Sequence, residues 1–386
     1  MTCPPLRIAE AMRADPQAFR TPCYVYDPQQ AAANYGDLRA LLSTRLVISI
    51  KANHNTDVTL RSMRPDIDGY ELASAGELSL MPRTAGAPIF LNNPAMDAAF
   101  MRSGLAMGGT FIVDRPELLP TLAEFAAKRT PQPVLLRVNG AVLNELVPGS
   151  PAERMDHFGM DLVALDRAVD YLRDQGGPLK LGGLHCFAGS HSFERRRARH
   201  ADFGARLFDR VASRMGQPFG LLNLGGGFSG QWREKVDELA AYARSLEPLR
   251  RLGLDLYHEA GRAIFEDSGV FATRVIGSKV LNGEQVVVCD GGIAQNFLLA
   301  QTERPLKRRA CPALLRDTRS AELSPLSLRF VGPSCHRDDV IGTAAAGSPA
   351  PVPGDVLLFD RCGAYNETYT VRPFLALKEA QSYVVA

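Results

Sequence analysis

Short apolar runs recur between residues 45 and 260, each separated from the next by a longer amphipathic stretch. The runs fall at 46–50, 69–72, 88–91, 110–113, 134–138, 181–186, 220–224 and 254–258. Runs this short read as buried strands. The stretches between them, such as 117–128, 162–174, 195–215 and 235–249, mix Ala and Leu with Arg and Glu in helical fashion. Eight alternations predict an α/β fold, a parallel (β/α)8 TIM-like barrel over 28–262. The pattern then changes to period two at 269–276, 284–289, 327–331, 355–359 and 369–372, with Gly and Pro between the runs. That predicts a C-terminal β-sandwich or β-barrel domain over 263–386. The early run Tyr24-Val25-Tyr26, after Thr21-Pro22, reads as a further strand of that domain, which therefore takes in residues 1–27. Residues 303–309 and 345–353 read as loops.

Composition narrows the function classes. The 386 residues carry a net charge of +2, which gives no reason to expect nucleic acid as a partner. No apolar stretch approaches a membrane span, and residues 1–20 lack a signal-peptide core, so no membrane is expected and the cytoplasm is the default location. Seven cysteines at scattered positions, with no CxxC pair, argue against a disulfide framework and against a zinc site; no metal is expected.

In a barrel of this kind reactive groups sit at the C-terminal ends of the strands. Lys51 ends the first run, Glu71 the second, His185 the sixth and Glu259 the eighth. Ser74 and Glu77 follow just after Glu71, and Gly225-Gly226-Gly227 follow the seventh run. A lysine at a buried strand tip is costly unless its amine is used. One use fits the rest: a Schiff base to the aldehyde of pyridoxal 5'-phosphate. Backbone N–H groups at 225–227 can approach a phosphate, and Ser190 can add a hydroxyl. Glu259 can keep a pyridine nitrogen protonated, which makes the ring an electron sink. Arg262 can hold phosphate or keep Glu259 ionised, and His185 can stack on the ring. Each has a bland alternative: a snorkelling lysine, a tight turn, a structural ion pair, a satisfied core histidine.

At these residues the chain resembles the decarboxylases of the alanine-racemase-like fold, the group that acts on ornithine, arginine and diaminopimelate. The resemblance rests on Ile50-Lys51-Ala52-Asn53, Ala73-Ser74-Ala75-Gly76-Glu77-Leu78, Gly225-Gly226-Gly227-Phe228, Glu259-Ala260-Gly261-Arg262, Asp290-Gly291-Gly292, Gly332-Pro333-Ser334-Cys335 with Asp339, and Gly363-Ala364-Tyr365, all in the family's order. It implies a head-to-tail homodimer with shared active sites and a small-molecule amino-acid substrate or conjugate. It also implies that Cys335 crosses from the partner to protonate the carbanion, and that Tyr365 binds the phosphate. The residues after the cysteine, His336, Arg337 and Asp339, fall where the resemblance places substrate contacts.

The departures bear on substrate. The family usually has Asp or Glu after the cysteine, to pair with a distal ammonium; here His336 and Arg337 follow. An Arg-Pro-x-x-Tyr segment familiar from diaminopimelate decarboxylases is replaced by the basic run 304–309. His185-Cys186-Phe187-Ala188-Gly189-Ser190 has two extra residues before Gly-Ser, a form similar to a branch of natural-product and siderophore pathways. His157-Phe158-Gly159 stands for Lys-Phe-Gly, and Ala260 for a proline. The expectation is therefore a decarboxylase of an amino acid or conjugate with a neutral or anionic distal group. The alternatives are a decarboxylase of a basic amino acid or diaminopimelate, a racemase of the same fold, and a non-catalytic regulatory homologue.

Overall fold

The computed structural model describes residues 5–61, 67–82, 86–127, 131–148, 156–186, 199–300, 310–319 and 321–386. The chain divides into two compact units, Tyr35–Lys51 with Arg64–Ala263, and Met1–Asn34 with Ala52–Met63 and Ile264–Ala386.

After β1 (Cys23–Tyr26), which belongs to the second unit, eight parallel strands close into a barrel. They are β2 (Arg45–Ser49), β3 (Tyr70–Leu72), β4 (Ile89–Asn92), β5 (Thr110–Val113), β6 (Gln132–Val138), β7 (Leu179–Cys186), β8 (Leu221–Asn223) and β9 (Asp255–Ala260). β9 returns to β2, with Arg45 opposite Tyr257 and Ile48 opposite Ala260. The predicted barrel is the observed one. Its first strand stops at Ser49, and Lys51 sits on a 3-10 turn, Ile50–Ala52.

Alternation along the strands builds the interior in layers. Val47, Phe90, Ile112, Leu135 and Tyr257 pack together as an apolar floor, with Phe90 and Tyr257 edge to face at 5.5 Å. Two residues further along β4, β6 and β9 come Asn92, Arg137 and Glu259, and Asp114 follows Ile112 at the same interval. One period-two pattern thus seals the barrel and puts polar groups above the seal.

The outer helices follow the 3.6-residue rule. Helix Leu162–Gln175 buries Leu165, Ala168, Val169 and Leu172, and Asp161 caps it by accepting from Ala164 N. The single helix expected over 235–249 is two, Val236–Ser245 and Glu247–Arg251, because Pro248 has no N–H to continue the first. Ser74 and Glu77 have a local job: Ser74 Oγ accepts from Glu77 N at 3.1 Å and Glu77 Oε2 accepts from Ala73 N at 2.6 Å, opening helix Ala75–Leu80 in the manner of a capping box.

The second unit is a curled mixed sheet. Its strands include β10 (Gly269–Leu281), β11 (Glu284–Cys289), β12 (Ala313–Leu314), β13 (Leu328–Val331), β14 (Val340–Ala344), β15 (Val356–Phe359) and β16 (Gln381–Val384), in the order β12-β15-β10-β11-β13-β14. β1 lies between β10 and β16, as expected for the 24–26 run. β10 pairs with β1 and β15 early and with β11 late, and its register shifts between Val275 and Gly277, so it serves both halves of the curl. The expected strand at 369–372 is absent. Tyr369 N donates back to Tyr365 O and Phe374 N to Val371 O, so the segment turns on itself ahead of Pro373. Residues 345–353 lie outside the named strands; 303–309 lie outside the described residues. Among the described residues no helix is long and apolar enough to cross a membrane.

Candidate active site

Every barrel strand delivers a polar side chain at or just past its C-terminal end. In strand order these are Lys51, Glu71, Asn92, Asp114, Arg137, His185, Asn223 and Glu259. Lys51, Glu71, His185 and Glu259 are the sequence-predicted members. Asn92, Asp114, Arg137 and Asn223 were missed. Their signal was present but thin: Asn92 and Asp114 each follow a recognised run by one residue, and Arg137 is the one charged residue inside 134–138.

The rim is wired in two branches. In the first, Lys51 Nζ donates to both oxygens of Glu71, at 2.9 and 2.7 Å. Glu71 is buried, and its Oε1 also accepts from Asn92 Nδ2 at 3.1 Å. Asn92 Oδ1 accepts from Arg137 Nη1 at 3.0 Å, and the same Nη1 lies 3.4 Å from Asp114 Oδ1. The Arg137 guanidinium covers the Phe158 ring at 4.4 Å, which gives the His157-Phe158-Gly159 turn an internal task.

In the second branch, His185 Nε2 lies 3.0 Å from Glu259 Oε1, which also accepts from Asn223 Nδ2 at 2.9 Å. Burial pushes the Glu259 carboxyl upward. His185, Lys51 and the Asn223 hydrogen bond outweigh burial and hold it below the usual carboxylate range. Glu259 is therefore a buried anion at neutral pH.

The triple-glycine bend requires glycine for two reasons. Gly225 and Gly227 have φ of +70° and +96°, the left-handed region. A Cβ on Gly226 would lie 2.4 Å from the Glu259 carbonyl oxygen. Asn223 Oδ1 accepts from Gly225 N at 2.8 Å, so one side chain supports both the bend and Glu259. Arg262 opens the short helix Arg262–Phe265 directly after β9. Ser190 lies outside the described residues.

The remaining predicted residues are in the second unit. Cys335 is exposed; burial pushes the thiols of Cys23 and Cys362 up to about 12 and that of Cys289 further, so those three are inert packing groups. Arg337 is exposed and lies 3.8 Å from Asp338. The His336 ring meets Phe374 edge-on at 5.9 Å, and its Nδ1 accepts from Asp338 N. Asp339 is buried, and its oxygens accept from Ile293 N at 2.7 Å and Ser334 N at 3.1 Å. Its carboxylate holds the cysteine loop through both oxygens. Tyr365 has φ +67° and donates its backbone N–H to Ala52 O, while Asn53 Nδ2 donates to Gly363 O. Both bonds tie the 363–365 turn to the residues that follow Lys51 in the chain.

Residues 31–266, more than half of the chain, match the family model described as pyridoxal-dependent decarboxylase, pyridoxal binding domain. The chain belongs to the pyridoxal-dependent decarboxylases. This decarboxylase is 31% identical over 381 residues to the diaminopimelate decarboxylase of Deinococcus radiodurans, covering 94% of this chain and 91% of that one. It is 26% identical to the L-glutamyl-[BtrI acyl-carrier protein] decarboxylase of Niallia circulans, covering 92% and 87%. Its fold is similar to that of the Helicobacter pylori diaminopimelate decarboxylase complexed with L-lysine (TM-score 0.80, 18% identity, 97% and 94% covered). It is also similar to that of the Paramecium bursaria Chlorella virus arginine decarboxylase bound to agmatine (TM-score 0.80, 19% identity, 98% and 99% covered). The protein is a carboxy-lyase dependent on pyridoxal phosphate.

The decarboxylase's own residues fit that cofactor. The glycine bend offers backbone without side chains: Gly225 and Gly227 have positive φ, and a Cβ on Gly226 would strike the Glu259 carbonyl. His185 Nδ1 is buried without a hydrogen-bond partner, a cost of about 1–3 kcal/mol that a bound group can remove. The barrel rim also offers the amine of Lys51, whose side chain is half-exposed there.

Proposed function

We propose that the protein removes the α-carboxylate of a diamino acid of the diaminopimelate class. In this reading Lys51 holds the cofactor's aldehyde carbon. Gly225, Gly226, Gly227, Ser190, Arg262 and Tyr365 hold its phosphate, Glu259 its ring nitrogen, and His185 its ring face. The observation that carries the chemistry is the rim itself, which sets the Lys51–Glu71 pair beside the buried anion Glu259.

When bound, pyridoxal phosphate supplies an electron sink for the pair left behind when the bond from Cα to the carboxylate breaks. Glu259 would keep a proton on the ring nitrogen, because a buried anion favours a protonated partner. Glu71 receives the Lys51 ammonium whenever the amine is released, so the amine stays at the rim and is ready to rebind. Carbon dioxide leaves, and the electron pair at Cα takes a proton. In a head-to-tail homodimer that proton comes from the thiol of Cys335 of the partner subunit, which water then restores.

The relatives move the substrate reading. A distal group that is only neutral or anionic was the first expectation from His336 and Arg337; the diaminopimelate decarboxylase at 31% identity over nearly the whole chain favours the diamino-acid alternative. A diaminopimelate end carries both an ammonium and a carboxylate, and Arg337 and Asp338 offer both signs on one loop. A second reading, an acidic conjugate or carrier-bound amino acid, keeps specific support. His336 accepts at Nδ1 from Asp338 N at 3.2 Å, so its neutral form presents Nε2–H, a donor suited to a carbonyl or carboxylate. The relative from Niallia circulans acts on a carrier-bound glutamyl group by name.

The test is carbon dioxide release from meso-diaminopimelate, lysine, ornithine, arginine and N-acyl glutamate conjugates, with product masses. Fastest release from diaminopimelate is expected. Faster release from acidic conjugates selects the second reading. Loss of optical rotation without carbon dioxide would make it a racemase, and no borohydride-trapped cofactor on Lys51 would remove the reading altogether.

A further inference from the structure

We propose that Asn92 is a positioning residue for Lys51, acting through Glu71. The inference rests on Lys51 being the cofactor-bearing amine. The carboxamide of Asn92 sits between an anion and a cation: Nδ2 donates to Glu71 Oε1 at 3.1 Å, and Oδ1 accepts from Arg137 Nη1 at 3.0 Å. A flipped amide would set Oδ1 against a carboxylate oxygen and Nδ2 against a guanidinium, two repulsive contacts in place of two bonds. The neighbours therefore dictate its orientation.

The chain of contacts is anchored at its far end. Arg137 is 4% exposed, packs its guanidinium over Phe158 and lies against Asp114, whose Oδ1 also accepts from Gly159 N at 3.0 Å. Glu71, Asn92 and Arg137 stand on strands of one closed barrel above one apolar floor, so none can swing far. At the near end the Lys51 side chain remains 42% exposed. A flexible, half-exposed lysine is thus held by a carboxylate whose direction is set from below.

The spacer matters because Asn92 carries no charge. An arginine directly on Glu71 would compete with Lys51 for the carboxylate. A neutral amide passes on the orientation and leaves the full negative charge to the amine. Without it, Glu71 keeps its burial, loses a donor, and is free to turn away from Lys51.

The experiment compares wild type, Asn92→Leu and Glu71→Gln as full-length protein, before and after addition of pyridoxal phosphate. Competitive acetylation read by peptide mass reports the reactivity of the Lys51 amine in the cofactor-free chain, with other lysines as internal standards. In Asn92→Leu, Lys51 should label about three- to fivefold faster, the range of a half-exposed ion pair, and Glu71→Gln should do the same. Uptake of cofactor onto Lys51, read by visible absorbance and borohydride trapping, should slow in both. If Asn92→Leu does not fold, Asn92→Ala carries the same comparison, with the melting temperature as the check. Wild-type labelling in the Asn92 variant alongside faster labelling in Glu71→Gln overturns the proposal and leaves the cofactor assignment standing. A wild-type chain that never carries cofactor on Lys51 fails at the assignment itself.

Discussion

The backbone at Gly226 lies against the Glu259 carbonyl so closely that a Cβ would come within 2.4 Å of that oxygen. The triple-glycine bend and the strand that carries Glu259 are therefore one packed unit. Gly226→Ala must separate the bend from β9. Overpacking of this kind costs about 1–3 kcal/mol. The variant should melt lower than wild type and bind pyridoxal phosphate more weakly, as read by thermal scan and absorbance titration. Unchanged cofactor affinity would detach the bend from the cofactor.

Asp339 gives a second prediction because it holds the cysteine loop. Both of its oxygens accept from backbone N–H groups, of Ile293 and Ser334, and the glycines at 292 and 332 leave it no room to move. Asp339→Asn turns one acceptor into a donor facing a donor, a loss of about 1–3 kcal/mol. Cys335 should then react faster with a thiol reagent and the melting temperature should fall. Lys51 should still trap cofactor at the wild-type rate, since it lies in the other unit. Slower trapping would mean that Asp339 acts on the barrel.

Cys335 gives a third. It is the exposed thiol among the described cysteines whose family context implies proton delivery, and Cys311 is half-buried elsewhere. On the proposed assignment, Cys335→Ala removes the proton donor and leaves the barrel rim intact. Turnover should fall by about 100-fold or more, the usual weight of general acid catalysis, while the Lys51 adduct forms normally. Product analysis in deuterated water should also show loss of stereochemical control at Cα. Wild-type turnover would return Cys335 to a surface role.

Much of this was legible in the chain, and the reasons differ by element. The barrel strands could be read because each is a short apolar run between amphipathic helices. Lys51, the 225–227 glycines and Glu259 stood out because residue types that are costly at strand ends recurred there. Asn92 and Asn223 did not, since a lone asparagine after an apolar run is ordinary at any strand end; what makes them part of the site is the carboxylate each one faces. The loop-holding task of Asp339 was hidden for the converse reason: the resemblance places it among substrate contacts, and only the backbone shows both of its oxygens engaged from within. The 369–372 run alternates like a strand, but its hydrogen bonds close locally at Tyr365 and Val371. The β14 strand is hard to read because Gly342 breaks its pattern, although it pairs with β13 across a register shift between Phe330 and Val331.

The outer face of β9 supports one more prediction, independent of the cofactor. His258 points away from Glu259 into a buried polar chain: Nδ1 lies 2.9 Å from Thr44 Oγ1, Nε2 lies 2.7 Å from the Tyr242 hydroxyl, and that hydroxyl lies 3.0 Å from His200 Nδ1. Burial, reinforced by His200 and opposed by Glu259, lowers the His258 pKa from 6.5 to about 3. The unfolded chain takes a proton near 6.5 while the folded chain refuses it until about 3. Stability from this site is therefore complete above 6.5 and is lost as the pH falls toward 3, by up to about 1.4 kcal/mol per pH unit. The Glu259 carboxyl, also depressed, acts in the same direction, but only below its ordinary 4.5. Urea midpoints of the cofactor-free protein should fall between pH about 7 and about 5, where His258 acts without Glu259. His258→Gln, which still offers Tyr242 and Thr44 a partner, should flatten that decline by about one proton. Parallel declines in the two proteins would show that the buried imidazole does not set the acid sensitivity of the barrel.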